Sequence, residues 1–114
     1  MTVSINGSVG ILTPSLLPAA PITVTTTPYT MTLAQTSFIF NGTSTITVTL
    51  PTPATYTGQL MFLKTIKAQA VNSASSNVVP VGSATAGTAI LAATIGKWAI
   101  IQSDGTNWVI MASN

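Results

Sequence analysis

Histidine, cysteine, arginine and glutamate are all missing from this 114-residue chain. Its ionised side chains are three lysines (Lys64, Lys67 and Lys97) and one aspartate, Asp104. Charged residues make up 4% of the sequence, where an ordinary soluble domain carries roughly a quarter. The first consequence is chemical. Acid–base catalysis, nucleophilic catalysis and metal ligation draw on His, Cys and paired carboxylates. The chain is therefore expected not to be an enzyme and to have no catalytic, cofactor-binding or metal site. The second consequence is physical. Charge normally keeps a free surface soluble, so much of this surface is expected to lie against partners.

Other shortages narrow the class further. Without cysteine there is no disulfide scaffold, and the redox compartment stays open. The hydrophobic fraction is 46% and the mean hydropathy is +0.58, values that suggest a membrane protein when taken alone. A spanning helix, however, needs about 20 consecutive apolar residues, and Thr, Ser, Asn, Gly or Pro interrupts every apolar run here. Aromatics are only 6% of the chain, too few for the girdles of a porin-type barrel. A soluble fold is expected. The stretch Ile11 to Ile22 is broken by Pro14, Pro18 and Pro21, and no basic residues precede it, so it does not read as a signal peptide. A net charge of +2 is too sparse for nucleic-acid binding, which takes several phosphate contacts.

What is present is β-sheet chemistry. Thr45 to Leu50 alternates strictly, with Ile46, Val48 and Leu50 on one face and three threonines on the other. Shorter strands are expected at 29–33 and 37–40, with Asn41-Gly42 as the following turn. Pro51 and Pro53 end the alternating strand, and Gln59 to Ile66 forms the next. That strand is rich in large apolars (Leu60, Met61, Phe62, Leu63, Ile66), as expected where both faces are covered. Weaker strands follow at 78–81 and 88–91. The segments 97–102 and 108–112 form a hairpin about Asp104-Gly105, since glycine accepts positive φ. No segment carries a capped helical period. The expected fold is all-β: a compact antiparallel sandwich or barrel of about seven or eight short strands, spanning 28–114.

Residues 1–27 read differently. Prolines fix φ, remove donors and extend their predecessors, and the apolar residues follow neither a period of 3.6 nor one of 2. This segment is expected to be an extended arm, lying on another subunit or on the domain's own surface. Ile11, Leu12, Leu16, Leu17 and Ile22 are its candidate anchors.

Candidate sites are few. Asp104 lacks the second carboxylate or base that catalysis requires, so a turn role is expected. Lys64 and Lys67 have no Gly-rich phosphate loop beside them and read as strand-end charges or edge-strand gatekeepers. Tyr56, Trp98 and Trp108 could stack on a glycan, with Thr106 and Asn107 as hydrogen-bonding neighbours; the competing reading packs both tryptophans into a core or subunit boundary. The Thr-x-Thr stretches lack the fixed repeat of an ice-binding array. Asn6-Gly7-Ser8 and Asn41-Gly42-Thr43 match the glycosylation sequon and read as turns or chance matches.

Certain strings carry a resemblance. The opening 1–7, with Gly10-Ile11 and Thr13-Pro14, is similar to the starts of small virion proteins of tailed bacteriophages. The runs 37–43, 47–51 and 96–108 (Gly96-Lys97-Trp98, then Gln102 to Trp108) resemble a β-module of phage fibre and capsid-decoration proteins. The resemblance implies a β-rich, trimeric, non-enzymatic virion component with no cofactor. It has neither the repeats nor the shaft of a long fibre, so a cement (decoration) protein fits best. Such a protein would bridge major capsid proteins on the outer capsid surface after synthesis in the host cytoplasm, with no nucleic-acid or membrane partner. The alternative is a short fibre or receptor-binding module recognising host glycans through Tyr56, Trp98 and Trp108.

Overall fold

The computed structural model describes residues 20–32 and 35–114. These form ten strands: β1 (Ile22–Val24), β2 (Tyr29–Thr30), β3 (Ser37–Phe40), β4 (Ile46–Thr49), β5 (Leu60–Thr65), β6 (Val71–Ser73), β7 (Val78–Val79), β8 (Ala89–Leu91), β9 (Trp98–Ser103) and β10 (Trp108–Ser113). A short 3-10 turn, Pro53–Tyr56, precedes β5. Among the described residues no helix is long and apolar enough to cross a membrane. The all-β class is as expected.

Two sheets share the strands. One has six, in the order β1-β3-β5-β9-β10-β7; the other has four, β2-β4-β6-β8. The first eight strands alternate between them, so the chain winds from sheet to sheet. Over the first six strands, a strand reached after one complete turn of that winding runs in the same direction as its predecessor in the sheet. Hence β1-β3, β3-β5, β2-β4 and β4-β6 are parallel. Antiparallel pairing enters with β6-β8, β5-β9 and the β9-β10 hairpin, while β7 closes the large sheet parallel to β10. The expectation of an antiparallel architecture is corrected to a mixed one. Alternation in a sequence reveals which side chains face inward but not which way the neighbouring strand runs.

The core lies between the sheets. Phe38, Phe40, Met61, Leu63, Ile101 and Trp108 from the large sheet meet Ile46, Val48, Val71 and Leu91 from the small one. Tyr29 meets Phe38 edge to face, with ring centroids 6.4 Å apart. Buried hydroxyls are hydrogen-bonded, as burial requires: Thr65 Oγ1 donates to the Lys67 carbonyl at 2.8 Å, and Ser103 Oγ donates to the Pro53 carbonyl at 2.8 Å.

The expected arm is shorter than its 1–27 boundary at the described end. Ile22–Val24 pairs with Phe38–Phe40 as β1, Ile22 packs against the core, and the backbone N–H of Thr47 donates to Thr27 Oγ1 at 2.9 Å. The prolines at 21 and 28 flank this strand rather than interrupt it, which is where strand prolines are tolerated. Ile22 is thus a domain residue; Ile11, Leu12, Leu16 and Leu17 lie outside the described residues.

Candidate functional site

Period-2 alternation gives the six-stranded sheet a second, outward face. Along β5 the odd positions Met61, Leu63 and Thr65 are buried, and Leu60, Phe62 and Lys64 point out. Along β9 the buried residues are Ala99, Ile101 and Ser103, so Trp98, Ile100 and Gln102 take the outer side. Register then stacks these residues in rows across the sheet. Ser37 is opposite Phe62, Phe62 opposite Ile100, and Ile100 opposite Ala112. The next row runs Ile39, Lys64, Trp98, and a third runs Leu60, Gln102, Val109, Val79.

The resulting face is predominantly apolar and open. Phe62 is 44% exposed and Leu60 39%. An open groove of roughly 320 Å³ runs across it, bounded by Pro21, Ser37, Phe62, Lys64, Trp98 and Ile100. Of the four ionised side chains, Lys64 is the one on this face; Lys67, Lys97 and Asp104 lie outside the strands. β5 is an interior strand, so Lys64 does not guard an edge, and that expectation is corrected. Its ammonium sits on a sheet face where a row of apolar neighbours would otherwise be continuous.

The glycan residues do not come together. Trp108 is fully buried, and its indole N–H donates to the Pro51 carbonyl at 2.9 Å. No ring face of Trp108 is left for a sugar, so its glycan role is withdrawn in favour of the core reading. Trp98 lies at the far end of β9 from Ser103, the register partner of Trp108, and on the opposite face of the sheet. Tyr56 is exposed on the 3-10 turn, which Ser103 and Gly58 tie to the Ser103 end of β9.

Asp104 occupies the hairpin turn as expected. Its Oδ1 accepts the backbone N–H of Asn107 at 2.7 Å and of Thr106 at 2.8 Å. These two bonds, Asn107 foremost, hold its carboxyl below the ordinary aspartate value. Gly105 follows at φ +94°.

The outer-face residues Ile39 and Ile100 had no place among the candidate contacts read from the sequence. Their signal was nonetheless there: β5 and β9 are apolar in both phases of the alternation, the mark of a strand covered on both sides. Among the described residues one of those sides is open. No protein-family model matches the chain, and no curated protein is similar to it in sequence.

Proposed function

We propose that this chain is a non-enzymatic virion structural protein, a capsid cement (decoration) protein. It works as a homotrimer that bridges major capsid proteins on the outside of a phage head. The observation that carries the reading is the open apolar face of the large sheet in a chain with four ionised side chains. Contiguous exposed apolar surface marks a contact site, and contact of this kind suits a permanent neighbour rather than a diffusing substrate. The bacteriophage-like strings at 37–43, 47–51 and 96–108 support the choice of neighbour. Adhesion would come from apolar burial, at about 25 cal/mol per Å² removed from water, and from backbone hydrogen bonds. Salt bridges can contribute little where so few ions exist.

Locating the protein on an imaged particle tests the reading. Many copies spread over the shell in groups of three are the expected result. A few copies at a single vertex would favour a short fibre, and no copies on the particle would end both readings. The fibre alternative now has to do without Trp108, leaving Tyr56 and Trp98 on separate parts of the surface.

A further inference from the structure

The three lysines of the chain gather at one end of the molecule, around Thr65, the buried last residue of β5. Lys64 precedes Thr65 in the strand and lies opposite Trp98 in the register of β5 and β9. The Thr65 backbone N–H donates to the Lys97 carbonyl at 2.9 Å. Its hydroxyl donates to the Lys67 carbonyl at 2.8 Å and accepts the Lys67 N–H at 3.2 Å. No carboxylate side chain balances them. Asp104, the only one in the chain, follows the opposite end of β9, seven residues beyond Lys97. At about 3.3 Å per residue that separation is roughly 23 Å, well past the screening length of about 8 Å at physiological salt. Even a carboxylate at Asn114, whose side chain bonds Trp98 and Gly96, would leave this end positive.

Apolar side chains protrude among these cations. Ile95 is 68% exposed and Ile66 43%. The Gly96 N–H donates to the Thr65 carbonyl at 2.9 Å, which sets the loops carrying Ile95 and Ile66 side by side. Trp98 stands half-buried at the start of β9. Convex apolar tips among lysines suit a soft surface that is apolar within and anionic at its boundary. The isoleucines can sink between headgroups, and lysine stems can follow them while the ammonium groups stay at phosphate level. Tryptophan favours that same interfacial depth.

We propose that this end of the molecule docks on an anionic phospholipid surface, with Ile66 and Ile95 entering the interfacial layer and Lys64, Lys67 and Lys97 against its headgroups. Charge draws the end to the surface, and apolar burial holds it there. The contact is peripheral and needs no spanning segment. This inference goes beyond the virion reading, whose likeness implied no membrane partner, and does not depend on it. It also differs in character from contact through the apolar sheet face, because salt weakens it.

Co-sedimentation of the full chain with vesicles tests the proposal. Vesicles of phosphatidylcholine with about a third phosphatidylglycerol are expected to bind it at low salt, and pure phosphatidylcholine vesicles are not. Replacing the three lysines by glutamine is expected to lower the partition coefficient about a hundredfold. Ile66→Ser with Ile95→Ser is expected to lower it about tenfold; both positions are exposed, so the fold should keep its melting temperature. Thr106→Lys, exposed at the Asp104 end, raises net charge equally well and is expected to change nothing. A second readout locates the contact. Acyl-chain-brominated phosphatidylglycerol is expected to quench Trp98 and spare buried Trp108, and Trp98→Phe is expected to abolish the quenching. No binding to the anionic vesicles, or a gain from Thr106→Lys, would overturn the proposal. Binding that the serine pair leaves at parental strength would also overturn it, in favour of a soluble polyanion such as an acidic protein. None of these outcomes bears on particle location.

Discussion

At the scale of single residues, the two tryptophans have opposite duties. Trp108 fills the core and spends its N–H on Pro51, so Trp108→Ala is expected to cost about 3–5 kcal/mol. Trp98→Ala, on the outer face, is expected to cost about 1 kcal/mol or less. Chemical denaturation of the two variants checks the contrast, and equal costs would contradict the placement of Trp98. Asp104 supplies the fold's acid sensitivity. Its folded pKa lies below the ordinary aspartate value, so the unfolded chain binds its proton first as pH falls. The turn's contribution is full above that value and is lost as pH drops through the lower folded value. Asp104→Asn is expected to flatten this loss, which stability measured from pH 2 to pH 6 would show. Gly105, at φ +94° with Thr57 Oγ1 only 3.1 Å from an added Cβ, is expected to lose about 1–3 kcal/mol on Gly105→Ala.

At the scale of elements, β4 tests the face assignment. Val48 points into the core and Thr49 outward. Val48→Lys would bury an unpaired charge and is expected to prevent folding; Thr49→Lys is expected to stay within about 0.5 kcal/mol of the parent. Circular dichroism and thermal melts distinguish the two. How far the elements were legible follows from their length and periodicity. The alternation of Ile46, Val48 and Leu50 was plain, as was the hairpin about Asp104-Gly105. By contrast, β1 and β6 have three residues each, too few for a period to register. β1 was further obscured by the flanking prolines, and β6 (Val71-Asn72-Ser73) by its polar content. Both hold their places through register with stronger neighbours, β3 and β4. That is information from distant chain segments.

At the scale of the whole molecule, the shortage of ions governs behaviour with neighbours. Attachment to a particle is expected to change little between pH 5 and pH 8 or in molar salt, because apolar contact is not screened. Release by salt, followed by sedimentation of treated particles, would contradict apolar adhesion. Leu60→Lys places a charge on the open face without touching the core. It is expected to keep the parent's melting temperature while weakening self-association in analytical ultracentrifugation. An unchanged oligomer would remove Leu60 and its row from the proposed contact between copies. The candidate face itself was half legible. Apolar residues in both phases of β5 and β9 announced that two sides needed cover, but only the ordering of the sheets shows which side the core already occupies.

Composition and periodicity alone determined the all-β class, the inward residues of β4 and the turn at Asp104. They also showed that His, Cys, Arg and Glu are absent. Each is a local property, expressed within a few residues of chain. The tertiary structure decided that alternate strands belong to different sheets, and that β1-β3, β3-β5, β2-β4 and β4-β6 run parallel. It also decided that Ile22 belongs to the domain, that Trp108 is core while Trp98 is surface, and that Phe62 and Ile100 share a row. Those outcomes depend on pairings between segments far apart in sequence, where direction and register are set by packing rather than by local pattern.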